Sequence, residues 1–76
     1  MNIEELNKLH PEKYVLVTYE YEYPIYIAPL HNLEIQICSK KEDAEVWSYA
    51  DMLSEAKLSY HKIATGYKEL VWELQK

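Results

Sequence analysis

The sequence predicts an α+β fold, a small curved antiparallel sheet of about four to five strands with one main amphipathic helix on one face and a short helix ahead of it. Three observations carry that expectation. The apolar period switches from helical to two-residue after Pro11, strand-type runs are separated by proline and asparagine, and a helical-period stretch lies between Ser48 and Gly66. Asn2 with Glu5 three residues later has the form of a capping box, Ile3 and Leu6 share a face, and Pro11 ends the run, which gives the short first helix.

From Tyr14 a strand places Val15, Val17 and Tyr19 on one side and Tyr14, Leu16 and Thr18 on the other. Pro24 and Pro29 bracket a second strand over Ile25 to Ala28, since proline cannot donate to a ladder. A turn around His31 and Asn32 leads into a third strand, Leu33 to Cys38, completing a meander. Beyond Ser39 two readings compete: one long helix from Lys40 to Ala64, or a helical turn, a short strand and then a helix. The second is better supported, because Ser48 with Asp51 marks a helix start, with Trp47 outside it. The helix is expected from Tyr49 to Ala64, with Gly66 in left-handed geometry after it. Leu70, Trp72 and Leu74 then alternate along a closing strand. The expected core is Val15, Val17, Ile25, Ile27, Ile35, Ile37, Met52, Leu53, Ala56, Tyr60, Ile63, Leu70 and Trp72.

At 76 residues the chain has room for one domain, 1–76, with one core. Eight tyrosines, two tryptophans and 49% hydrophobic residues set it apart from a disordered segment. A single cysteine excludes an intrachain disulfide framework and a thiolate-rich zinc site, and fits a reducing, cytoplasmic setting. The polar, acidic start MNIEEL is unlike a secretory leader, and no apolar run approaches a membrane span. A net charge of −5 with eight lysines and no arginine argues against direct nucleic-acid binding.

No catalytic, cofactor or metal constellation is legible, so a non-enzymatic protein without cofactors is expected. His10, His31 and His61 lack ligand spacing and read as surface histidines, and Cys38 reads as a small strand-end hydrophobe. The lone glycine follows a helix and opens no phosphate loop. The most suggestive run is Tyr19, Glu20, Tyr21, Glu22 and Tyr23 near a hairpin tip. Tyrosines are stiff, amphipathic contact residues, and carboxylates between them suit a basic groove on a partner. The same run also reads as strand-favouring tyrosines with glutamates that guard an open edge. Leu58, on the polar side of the expected helix, is a second candidate contact.

The stretches YPIYIAPL, KKEDAEVWSYADML and GYKELVWEL, over roughly residues 13 to 75, resemble a loose group of small phage-encoded proteins. In that group a hairpin precedes a "DAEVW"-like turn, one helix and a strand opened by Gly-Tyr. The first hairpin here lacks the glycine expected of the group, and no functional residue carries over. The resemblance implies a phage or prophage accessory protein, a class that includes inhibitors of host defence nucleases. The expected function is binding of a host protein, with inhibition or redirection of it, through the acidic aromatic edge. The alternative is a self-associating module that dimerises through the sheet, and a small enzyme or ligand binder is the third reading.

Overall fold

The computed structural model describes residues 2–76. In chain order it contains α1 (Ile3–Leu9), β1 (Tyr14–Thr18), β2 (Ile25–His31), β3 (Glu34–Cys38), a 3-10 turn (Lys41–Asp43), α2 (Tyr49–Met52), α3 (Glu55–Thr65) and β4 (Val71–Leu74). The strands form one antiparallel sheet in the order β3-β2-β1-β4, so the fold is α+β with three helices.

Local chemistry explains most of these boundaries. The Asn2 side chain accepts from the Glu5 N–H at 2.8 Å, which satisfies one of the orphan donors at the start of α1. In the hairpin between β2 and β3, Asn32 and Leu33 both take positive φ, 52° and 66°, the geometry of a tight turn whose twist matches its strands. Asparagine tolerates that conformation, and Leu33 accepts it with its side chain 92% exposed. β2 continues past Pro29, further than the proline alone implies, because the register slips between Ala28 and His31 and no ladder bond is needed at the proline nitrogen. Gly66 closes α3 at φ 78°, where its N–H donates to the Lys62 carbonyl at 2.8 Å.

The expected helix over Tyr49 to Ala64 is two helices. Ser48 caps the first: its Oγ accepts from the Asp51 N–H, and the Asp51 carboxylate accepts from the Ser48 N–H. An Asn7 side chain from α1 accepts from the Ala50 N–H at 3.0 Å, adding a cap from outside the element. The chain then leaves helical geometry at Ser54, whose side chain accepts from the Lys57 N–H and begins α3 afresh. Trp47 stays outside the helix, as its sequence context predicts, and its backbone exchanges two hydrogen bonds with Tyr14 at 2.8 and 2.9 Å.

β1 is the buried centre. Val15, Leu16, Val17 and Thr18 are all fully buried, so both faces of the strand are covered. Register places Val17 beside Tyr26 and Tyr26 beside Cys38, and these residues with Val15 and Ala44 make one layer. On the opposite face Leu16, Ile27 and Leu70 form a second layer, joined by Ile35, Leu58, Tyr67 and Trp72. The expected core therefore needs three corrections. Val15 and Val17 point away from Ile27, Leu16 and Thr18 belong to the core, and Ile37 is half exposed on edge strand β3.

The largest correction concerns the helix stripe. Leu53, Ala56, Tyr60 and Ile63 face outward, with Ile63 83% exposed, while Leu58, His61 and Thr65 face the sheet. Leu58, read from the sequence as an outward contact, is thus part of the packing. The break at Leu53 and Ser54 supplies the reason: α3 restarts with a new orientation, and Tyr67 and Leu70 beyond Gly66 hold its far end against the same layer.

Candidate functional site

The connection from β1 to β2 carries the tyrosine and glutamate run, and its first two residues turn back into the fold. Thr18, the last residue of β1, donates through Oγ1 to Glu20 Oε2 at 2.8 Å and accepts from the Glu20 N–H at 3.3 Å. The same Glu20 oxygen accepts from the Glu69 N–H at 3.0 Å, in the loop that leads to β4. One carboxylate therefore ties two loops together across the end of the sheet. The Glu69 N–H, and next the Thr18 hydroxyl, hold its pKa below the ordinary 4.5, because both stabilise the charged form. Glu20, read from the sequence as a contact for a partner, also serves as a strut between the two loops.

Tyr19 is tethered as well. Its hydroxyl donates to Glu73 on β4, and Glu73 also pairs with Lys41 Nζ at 3.0 Å. The hydrogen bond to Glu73, followed by burial, pushes the Tyr19 pKa up from 10.0 to about 12. The Tyr19 hydroxyl and then Lys41 draw Glu73 below its ordinary 4.5. A tyrosine raised on folding contributes stability that is fully present below pH 10 and is lost as pH rises through about 12. Glu73 and Glu20 work in the other direction: their contribution is present above pH 4.5 and is lost as pH falls through their lower folded values. Tyrosinate absorbance during alkaline titration is expected to show a late step near pH 12 that disappears in Tyr19→Phe. Persistence of that step in the variant would contradict the assignment.

With Tyr19 and Glu20 anchored, Tyr21, Glu22 and Tyr23 project from the end of the sheet. Tyr21 is 56% and Tyr23 72% exposed. The Tyr21 ring meets Tyr67 edge to face, with centroids 5.8 Å apart, which steadies it without burying it. Tyr21, Tyr23, Pro24, Ile25, Ile37, Cys38 and Ser39 together line a shallow groove of about 500 Å³ beside edge strand β3. Glu22 stands exposed between the two rings.

The cysteine and the three histidines sit in differing surroundings. Burial pushes the Cys38 thiol above its ordinary pKa, opposite to the shift that activates a nucleophile. His10 stacks on Tyr49 at 3.9 Å, and His31 is exposed at the end of β2. His61, expected at the surface, is buried: its Nδ1 lies 2.7 Å from the Lys57 carbonyl, and Trp47 and Tyr60 each meet its ring edge-on at 5.4 Å. Sequence spacing concealed it, since a histidine on the mixed side of a helix looks solvent-facing. Burial pushes the neighbouring Glu45 carboxyl up, and Lys57 lies over the Trp47 ring while pairing with Asp51. Among the described residues no group of three or more His, Cys, Asp or Glu side chains is placed to hold a metal ion, and no helix is long and apolar enough to cross a membrane.

Comparison of the chain with protein-family models, with curated proteins and with solved structures gave no match.

Proposed function

We propose that the chain is a non-enzymatic accessory domain that binds a host protein, and inhibits or redirects it, through the rim of Tyr21, Glu22 and Tyr23. The observation that carries this reading is the division of labour within one loop. Tyr19 and Glu20 fix the loop to β4 and to the loop before it, and the next three residues stand in solvent beside a groove. Two stiff aromatic rings on a tethered loop lose little conformational freedom on binding, which favours a protein partner. The net charge of −5 and the exposed Glu22 favour a partner with a basic surface, and a nuclease groove for nucleic acid is the kind of target that fits. The resemblance to small phage-encoded proteins agrees with a host target.

Affinity capture from a bacterial lysate, followed by mass spectrometry, tests the proposal. The wild type is expected to retain a protein that a Tyr21→Ala, Tyr23→Ala double variant loses, by about 30-fold or more in affinity if the two rings together are worth about 2 kcal/mol or more. Glu22→Lys is expected to slow association and remove the salt sensitivity of binding. Both variants should melt as the wild type does, because neither ring is buried. Equal capture by the wild type and the double variant would exclude the rim as the contact.

A further inference from the structure

β3 is an edge of the sheet, and the direction of its backbone groups can be assigned residue by residue. The two-residue turn of Asn32 and Leu33, both at positive φ, makes His31 and Glu34 the closing hydrogen-bonded pair of the hairpin. Backbone groups alternate along a strand, so Glu34, Gln36 and Cys38 point at β2 while Ile35 and Ile37 point away from it. A second observation agrees. Ile27 lies opposite Ile37, yet its carbonyl accepts from the Glu45 N–H at 2.9 Å, in the segment that goes on to pair with Tyr14 of β1 on the far side of β2. Among the described residues no hydrogen bond from a turn, loop or side chain reaches the Ile35 or Ile37 backbone, so their N–H and C=O groups are free to pair with a further strand. Open edges are ordinarily blunted by lysine, proline, a bulge or a charge. β3 reads EIQIC with Ile37 54% exposed, and the hairpin's irregularity lies between Ala28 and His31 of β2, whereas the other edge strand, β4, carries Glu73 tied to Lys41 and Tyr19.

The strand is complementary to itself. In an antiparallel pair of β3 strands centred on Gln36, Ile35 of each copy lies opposite Ile37 of the other, and each such pair exchanges both of its backbone hydrogen bonds. Other registers fit less well: centring on Ile37 would set Ile35 against Ser39, where the chain bends, and centring on Ile35 would use Leu33, which belongs to the turn. On one face the two isoleucine pairs extend the apolar layer that Ile35 and Ile27 already share. On the other face Gln36 meets Gln36 on the axis, and a carboxamide, being both donor and acceptor, satisfies a second copy of itself. Glu34 is the one charged residue of the strand, and it faces Cys38 of the other copy, so the two carboxylates stand at opposite ends of the pair. An acidic chain of net charge −5 thus meets its copy along an edge where like charges do not oppose.

We propose that the β3 edge is a homodimer interface, in which two copies pair antiparallel about a two-fold axis at Gln36 and join their sheets into one. The contact is isologous, and this type of symmetry gives a closed pair with no further growth. A single pair of five-residue strands buries less than the ~800 Å² per partner of a standard stable interface, so the dimer is weak, with a dissociation constant on the order of 100 μM, and the chain is monomeric at low micromolar concentration. The pairing does not rest on the partner reading of the tyrosine rim.

Sedimentation equilibrium and amide exchange of the full chain, from about 10 μM to about 1 mM, test the interface. The apparent mass should rise with concentration from 9.1 kDa toward twice that value. Over the same range the Ile35 and Ile37 amides should pass from fast to slow exchange with water, while Gln36 and Cys38, bonded to β2, stay protected throughout. Ile37→Pro removes an outward donor and no ladder bond to β2, so it should stay folded and monomeric, whereas Ile37→Val should associate as the wild type does. Gln36→Glu keeps the size of the side chain and sets two carboxylates against each other on the axis, which should weaken the dimer at least several-fold at neutral pH. A chain that stays monomeric at the highest concentration would overturn the proposal. So would Ile35 and Ile37 amides whose exchange ignores concentration, or a dimer indifferent to both Ile37→Pro and Gln36→Glu.

Discussion

Leu16→Ala is expected to remove about 2 to 5 kcal/mol of folding stability, close to the whole margin of a domain this small. Leu16 is fully buried on the face of β1 that meets Ile27 and Leu70, and Trp72 lies directly across from it on β4. Truncation leaves a cavity in the layer joining the sheet to α3, so the loss combines transfer free energy with unfilled volume. A strand with one wet face would tolerate the same change on that face with little effect. Urea unfolding followed by circular dichroism measures the difference. A loss below about 1 kcal/mol for Leu16→Ala would mean that only one face of β1 is covered.

Leu58→Asp is expected to cost more than about 3 kcal/mol and leave most of the chain unfolded at ordinary temperature. Ile63→Asp, one and a half turns further along the same helix, is expected to cost about 0.5 kcal/mol or less, the propensity difference in an exposed helix. The contrast is informative because periodicity alone assigns the two residues the other way round. Leu58 packs against Leu16, Ile27 and Leu70, where a carboxylate would replace apolar contact, and Ile63 meets solvent. The reverse order of stabilities would turn the helix over and return Ala56, Tyr60 and Ile63 to the core.

The features legible in the sequence are those fixed by neighbouring residues. The Asn2 cap, the capping box of Ser48 and Asp51, the left-handed Gly66 and the meander of β1, β2 and β3 all follow from chemistry within a few residues. The exposure of Tyr21 and Tyr23 was legible for the same reason, since a short loop after a buried strand has nowhere else to place them. What could not be read depends on distant partners. Glu20 became a strut because Glu69, forty-nine residues later, supplies an N–H. The orientation of α3 depends on Leu16, Ile27 and Leu70, which pack against Leu58, while the more regular apolar line of Ala56, Tyr60 and Ile63 faces outward. His61 was concealed with Leu58, because both lie on the side that composition marks as polar.

The central claim is that Tyr21, Glu22 and Tyr23 touch a protein partner, and a cross-link made from that position tests it most directly. A photoreactive phenylalanine analogue at position 23 replaces one exposed ring with another, and the same analogue at position 33 sits on the exposed hairpin tip between β2 and β3. Irradiation in a bacterial lysate is expected to give a discrete cross-linked protein from position 23, competed away by unlabelled wild-type chain, and none from position 33. A cross-link of equal yield from both positions, or from position 33 alone, would contradict the claim.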